Sequence, residues 1–482
     1  MDALDKPVDS KRRVFIKGLG YVSASLVMAT MFGGCEKIIK QIKERPVRRR
    51  LRTGSTLVDN DIAIYRDAVA QMRALPASNP RSWAAQAGLH GTVSGGFNFC
   101  QHGTDHFFSW HRAYLLYFER ICQELTGEKK FGLPYWNWNQ DPAIHSAFLD
   151  SSSALYDGTR VVTTVAGGSS FTDDTLDPIF EDNNFFTFGS QIEGTPHNSA
   201  HSTIRGNMVT GGSPLDPIFW AHHCMVDYCW AKWNIELDND NTNDSAWQNT
   251  SWNHFVDGAG NPAEITAGLT TILPLLSYQY EPSTIGSSSS GLSIDALSAG
   301  DFKKMQKRMR DGIEVKFDIK RVVPISNQKR IFLSRPISLR SDVSVNDFSA
   351  IVEANKQSDR VFVRVKYAQS PPTNDFFVRV FINKPNANSK TPDTDIHYAG
   401  SFAFFGTHTG HHDGKHQHKT EYLVNVTDTL KELRQKGVLR SGEAVSVELV
   451  AVPTSAQFTT PQAEFALESI DFIVSPVTIK SR

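Results

Sequence analysis

The sequence predicts a multidomain α plus β protein, with a mainly α-helical central domain followed by a C-terminal β-sandwich. Three observations carry this reading. Between about residues 55 and 282, apolar residues recur at alternating spacings of three and four, the period of helices packed on one face. Beyond Ile313 the pattern changes to short alternating runs, such as "EVKFDIKRVV", "RVFVRVKY", "FFVRVFIN", "AVSVELVAV" and "FALESIDFIV". Runs with a period of two are half-buried strands. Between the two regions "STIGSSSSGLS" (283–293) has the composition of a flexible linker.

Taken in order, the chain opens with "SKRRVFIKGLGYVSASLVMATMFGGC", ending at Cys35. Paired arginines before an uncharged, Gly-rich run read as a twin-arginine-type export signal over 1–35, too short for a comfortable membrane span. "FGGC" partly matches a lipoprotein cleavage box, with Phe32 at the usual Leu position, so a lipid anchor at Cys35 stands beside simple cleavage. Residues 36–54 are basic and read as a tether, 55–282 as the helical domain, 283–312 as a linker and 313–482 as the sandwich. One short helix is expected inside the sandwich, at "VTDTLKELRQKG".

With 482 residues there is length for two or three domains with sizeable cores. Lys plus Arg number 50 against 51 Asp plus Glu, which gives no reason to expect a nucleic-acid partner. Self-association stays open. The five cysteines (35, 100, 122, 224 and 229) are too sparse for a disulfide framework, and Cys224 and Cys229 read as small buried hydrophobes.

The histidines are placed less evenly. "FCQHGTDHFFSWHRAYLLYFER" holds His102 and His111 nine residues apart, which on one helix would face opposite ways. With Asp105 as N-cap, the stripe Phe108, His111, Leu115, Phe118, Cys122 and Leu125 forms a buried helix face, leaving His102 in the preceding loop. In "EGTPHNSAHSTIRGN", Thr195 as N-cap, Pro196 at the first position and Gly206 as terminator bracket a short helix carrying His197 and His201 one turn apart. In "SPLDPIFWAHHCMVDYCWAKW", the stripe Phe219, His223, Val226, Trp230 and Trp233 selects His223 rather than His222. Asp227, one turn later, is expected to hold that ring from a second shell. Trp83, Ala87 and His90 share a side of a further short helix.

Any one of these histidines alone reads as a hydrogen-bonded core residue. Together, His90, His102, His111, His197, His201 and His223 form a six-imidazole set with no carboxylate, which suits two copper ions better than non-haem iron or catalytic zinc. Spacing does not identify the ion.

With these motifs in place, the sequence resembles the tyrosinase and catechol oxidase (polyphenol oxidase) family of type-3 copper proteins, closely over about 55–282 and more weakly to about 455. "CQH…WHRAYLLYFER" is similar to its copper A motif and "PHNSAH…SPLDPIFWAHHCMVDYCW" to its copper B motif, the latter closest to bacterial members. "LSYQYEP", with Tyr278 and Tyr280, resembles the motif that closes the central domain, and "VKFDIKRV" resembles the signature of the plant C-terminal domain. The resemblance implies a four-helix bundle holding two copper ions, with His90, His102 and His111 at copper A and His197, His201 and His223 at copper B. It also implies a thioether between Cys100 and His102. His106 is an alternative to His102.

The resemblance further implies a capping domain that keeps the enzyme latent, with a residue such as Phe404 or Phe405 plugging the entrance. Glu193 and Asn198 match a pair that holds a water for deprotonating the phenol. Thr210-Gly211-Gly212 stands where plant members carry a bulky phenylalanine, so the central pocket is expected to be open. The histidine run 408–418 reads as an exposed loop. The activity implied is ortho-hydroxylation of phenols and oxidation of catechols to o-quinones with O2. The rivals are a catechol oxidase or o-aminophenol oxidase, a haemocyanin-like oxygen carrier, and a structural zinc protein.

Overall fold

The computed structural model describes residues 45–94, 96–271, 277–281, 285, 313–317, 321–326, 330–332, 337–341, 359–367, 376–404, 421–440, 445–453 and 464–481. The expected signal with Cys35, most of the linker, Phe405 and the histidine run 408–418 lie outside the described residues. Among the described residues no helix is long and apolar enough to cross a membrane.

The helical part is built around two buried helices. Helix α1 (Thr56–Ala74) buries Val58, Ile62, Tyr65, Val69 and Met72, spaced for one face, and packs on α3 (Phe107–Thr126). Helix α2 (Trp83–His90) is capped by Ser82, whose Oγ accepts from the Ala85 amide at 3.1 Å. Helix α3 begins two residues after the expected cap. His106 occupies that position without a side-chain cap bond, and the Asp105 carbonyl accepts the Trp247 indole N–H at 2.8 Å.

A second departure concerns the helix of His197 and His201. It does not begin at Thr195. After α4 (Asp173–Phe180), α5 (Phe185–Ile192), capped by Asn184, runs through a π-helical turn (Glu193–His197) into α6 (Asn198–Ile204). Pro196 has no N–H for the α-helical ladder, and the Asn198 N–H reaches back to Glu193 O, one residue further than an α-helix would. The run ends as expected at Gly206, whose φ of +63° and 2.3 Å approach of Thr159 O to an added Cβ exclude other side chains.

Helix α7 (Ile218–Ala231) starts after Asp216, whose Oδ1 accepts from the Ile218 amide at 3.0 Å, and is buried on every side. An apolar stripe therefore cannot select a single inward face on it.

Residues 45–54 are not a tether. β1 (Val47–Arg48) is built into the helical part through parallel pairing with β4 (Gln279–Tyr280), while β2 (Ser251–Val256) and β3 (Pro262–Thr266) form a hairpin between them in sequence. The segment's arginines explain the anchoring. Arg48 is wholly buried against Glu119 (2.9 Å) and Asp227 (3.1 Å) and lies over the Tyr278 ring at 3.7 Å. Arg49 pairs with Asp61 at 2.8 Å and Arg52 reaches Glu281 Oε1 at 2.8 Å.

The C-terminal part is a sandwich of two sheets. One has the order β11 (Tyr398–Ala403), β10 (Phe376–Ile382), β13 (Val445–Pro453), β8 (Ile337–Ser341). The other has the order β12 (Glu421–Asn425), β9 (Asp359–Tyr367), β14 (Glu464–Ser481), β5 (Ile313–Phe317), with β6 (Arg321–Ser326) and β7 (Arg330–Phe332) also pairing with β14. Val361, Val363 and Val365 of β9 meet Val378, Val380 and Ile382 of β10 in one core. The expected short helix is present at Thr427–Gln435.

Candidate metal centre

Six elements deliver the predicted histidines to one buried place. His90 ends α2, His111 lies in the second turn of α3, and His102 sits in the loop between them. Their ring centroids are 5.2 Å (His90–His102), 5.9 Å (His90–His111) and 4.8 Å (His102–His111) apart. His197 and His201 come from the π turn and α6, and His223 from α7, with separations of 4.6, 4.9 and 5.6 Å. The two trios touch: His111 stacks on His223 at 4.5 Å and His102 on His197 at 5.3 Å.

The outer nitrogens are anchored. Nδ1 of His90 donates to Gly211 O (2.7 Å), Nδ1 of His111 to Phe107 O (2.8 Å) and Nδ1 of His201 to Met208 O (2.6 Å). His197 Nδ1 meets Asn198 Oδ1 at 2.8 Å. A carbonyl only accepts, so in the first three rings the proton is on Nδ1 and Nε2 keeps its lone pair. These inner atoms crowd together, with His90 Nε2 3.1 Å from His102 Nε2 and His201 Nε2 3.2 Å from His197 Nε2. His111 Nε2 is buried with no hydrogen-bond partner. Burial holds all six rings below the ordinary histidine range, to about 4 for His90 and about 3 for His197, so they present neutral donors. Converging neutral imidazoles with outward-bonded Nδ1 atoms fit two metal ions.

Cys100 is buried in the loop before His102. Its Sγ is 3.2 Å from His90 O and within 4.8 Å of the His102 ligand nitrogen. Glu193 Oε1 accepts the Gly103 amide at 2.6 Å and lies 3.3 Å from His102 Nδ1. A pocket lined by His102, Glu193, Asn198 and Phe107 is walled on its other side by Tyr367 and Tyr422 of the sandwich.

Several expectations are corrected. Asp227 does not hold His223: its carboxylate takes Arg48, Arg112, Tyr278 and Tyr280, and both His223 nitrogens lack a hydrogen-bond partner. Two arginines and two phenols are stronger claimants on a buried carboxylate than a neutral ring. His106 is no stand-in for His102, because it stacks on Trp247 at 5.4 Å. Phe404 does not plug the entrance; its ring belongs to the sandwich core with Tyr367, Phe376, Phe402 and Tyr422. Gly211 and Gly212 open no space, since an added Cβ would come within 2.5 Å of Gly96 O or 2.7 Å of Val93 Cγ2. The loop before His102 fills that volume.

The sequence pattern selects His223 over His222, and the His222 ring also lies near the second trio, 5.3 Å from His197 and 4.9 Å from His201. The carbonyl anchors at Gly211, Met208 and Phe107 are announced by no side-chain pattern. The sandwich expected to cap the site reaches it through backbone carbonyls, which likewise have no sequence signature. Thr195 donates to Ser401 O (2.7 Å), Asn198 to Ala403 O (2.8 Å) and Ser202 to Phe404 O (2.8 Å).

Comparison with known proteins gives a consistent picture. Residues 80–173 and 159–236 match the family model of the common central domain of tyrosinase, and 336–462 that of the chloroplastic polyphenol oxidase C-terminal domain. A tyrosinase of Hahella sp. (strain CCB-MM4), HcTyr1, is 28% identical over 291 residues, covering 47% of this chain and 62% of that protein's length. The chloroplastic (+)-larreatricin hydroxylase of Larrea tridentata is 24% identical over 482 residues, covering 87% and 78%. The solved structure of a latent aurone synthase (polyphenol oxidase) superposes with a TM-score of 0.63 at 22% identity over 90% of this chain and 91% of that one, a likeness of fold.

Proposed function

Because this chain belongs to the tyrosinase and polyphenol oxidase family, whose members are type-3 copper oxidoreductases, we propose that it is a copper-dependent phenol oxidase. It ortho-hydroxylates monophenols and oxidises o-diphenols to o-quinones with O2. In this reading His90, His102 and His111 hold one copper and His197, His201 and His223 the other. The observation that carries it is the carboxylate-free set of six buried, neutral imidazoles, in which the inner nitrogens of His90 and His102 and of His197 and His201 are turned on one another and the rings of His111 and His223 stack between the two pairs. Bound there, the copper pair supplies oxygen activation and accepts the substrate's electrons.

The chain's own residues position the phenol and move its proton. Glu193 and Asn198 flank the pocket and hold the water that takes it. Cys100 is joined to His102 by a thioether, which fixes the one loop-borne ligand; an intact mass two hydrogens below the sequence mass is its signature. Residues 313–482 form a cap on the helical part 55–282 and keep the enzyme latent until displaced. Contacts from Ser401, Ala403 and Phe404 and the likeness to a latent enzyme support this. The sequence of residues 1–35 supports export through the twin-arginine route, to the periplasm or beyond, with Cys35 as a lipid-anchor candidate.

The test is O2 uptake with a tyrosine-like phenol and with a catechol, before and after cleavage within 283–312. Quinone formed from both substrates, faster after cleavage, is the expected result. Quinone from the catechol alone reduces the reading to catechol oxidation, and reversible O2 binding without quinone replaces it with oxygen carriage.

A further inference from the structure

Helix α7 carries adjacent histidines, and the copper reading uses only His223. His222 is fully buried and neither of its ring nitrogens makes a hydrogen bond within ordinary geometry. The His197 carbonyl is near enough to favour its protonated form, against the burial that opposes it, but closes no such bond. A buried imidazole left in this state is costly, and an apolar side chain in the same place would avoid the cost. A ring so placed is suited to a partner other than a protein hydrogen-bonding group.

Its surroundings say which. The ring is 5.3 Å from His197, nearly parallel at 20°, and 4.9 Å from His201; His223 is 4.9 and 5.6 Å from the same two rings. The trios completed by His222 and by His223 are equally tight. One ligand nitrogen from each of His197, His201, His222 and His223 lies within 4.8 Å of all the others. Imidazole–metal bonds of about 2 Å put two ligands of one ion at most about 4 Å apart, so a small ring rotation brings either α7 histidine onto that ion. His223 alone is also stacked on His111 of the first trio, at 4.5 Å and 14°.

We propose that His222 is a fourth imidazole of the second metal site. It binds the ion held by His197 and His201 whenever His223 turns toward the first site or is lost. This rests on the six-histidine copper reading and adds a ligand to it. The consequence is a site that keeps its ion while one coordination position opens.

The test uses the full chain, stripped of metal and reloaded with copper. Copper per chain is measured by mass spectrometry and affinity by competition with a chromogenic copper chelator. Wild type is expected to hold two coppers. His222→Phe still binds two, with the second held within about twofold of wild type, because His223 remains the resident ligand. His223→Phe also holds two in excess copper, while the double variant holds one. A His223→Phe chain that falls to one copper, or a double variant that still holds two, overturns the proposal. Melting of each apo variant checks folding, and His222→Gln carries the same comparison if the phenylalanine does not fold. A wild-type chain that binds fewer than two coppers instead overturns the copper reading, and this proposal with it.

Discussion

Asn198 spends both ends of its side-chain amide: its oxygen meets His197 Nδ1 and its nitrogen donates to the Ala403 carbonyl, each at 2.8 Å. The sandwich therefore occupies the donor that the proposed water-holding pair needs, as well as walling the pocket with Tyr367 and Tyr422. Cleavage within 283–312, with the C-terminal fragment removed, is expected to raise phenol turnover by about tenfold or more, since a competent fraction of a tenth or less is thereby released. Unchanged turnover after proven separation would count against capping as the control.

Glu193 accepts from Gly103 and borders His102. Glu193→Gln keeps the shape and removes the base. Monophenol turnover is expected to fall by about a hundredfold, the scale of general-base catalysis, with catechol turnover much less affected. Equal loss on both substrates would assign Glu193 to holding the His102 loop instead.

Gly211 brings its carbonyl to His90 Nδ1 at 2.7 Å because nothing but hydrogen separates its Cα from Gly96 O. Gly211→Ala forces these backbones apart and releases the His90 ring. One copper is expected to bind about 10- to 100-fold more weakly, as when a supporting partner of a metal ligand is lost. Chelator competition measures it, and unaltered affinity would mean that the carbonyl does not orient the ring.

Arg48 neutralises Glu119 and Asp227 in a region with no access to water. Arg48→Met leaves two buried carboxylates without their shared cation. The expected loss is about 3–5 kcal/mol, the cost of breaking a buried pair from one side, read as a lower denaturant midpoint. A loss below about 1 kcal/mol, typical of an exposed pair, would show that the segment 45–54 is only loosely attached.

The sequence made some of this legible and hid the rest for identifiable reasons. The stripe through His111 lies in the core as expected up to Cys122, but α3 is buried on all sides from Phe107 to Glu119, and Leu125, expected on the buried face, is only partly buried. On α7, buried on all sides, the pattern carries no contrast between faces and does not by itself separate His222 from His223, both of which lie beside His197 and His201. The helical spacing pairs Asp227 with the nearest ring along its own helix, whereas its partners Arg48, Tyr278 and Tyr280 come from segments distant in sequence. Pro196 reads as a helix start because proline favours the first helical position; here it sits inside a π turn, which the sequence alone does not distinguish. The carbonyls that fix the rings have no sequence signature.

His254 gives a pH dependence that can be worked out in sign. Its Nε2 accepts the Trp110 indole N–H at 3.0 Å, and its ring stacks on Phe99 at 4.4 Å. Burial lowers its pKa to about 4, against about 6.5 for an exposed ring. Between those values the unfolded chain binds the proton and the folded chain does not. Its contribution to stability is therefore complete above pH 6.5 and is lost as the pH falls toward 4, by no more than about 3 kcal/mol. His254→Phe keeps the stack and cannot titrate, but strands the indole N–H, at a cost of about 1–3 kcal/mol at pH 8. The variant should thus melt below wild type at pH 8 and close the gap as the pH approaches 4. Parallel melting curves across that window would show that His254 is protonated as readily in the folded protein as in water, and that Trp110 does not depend on it.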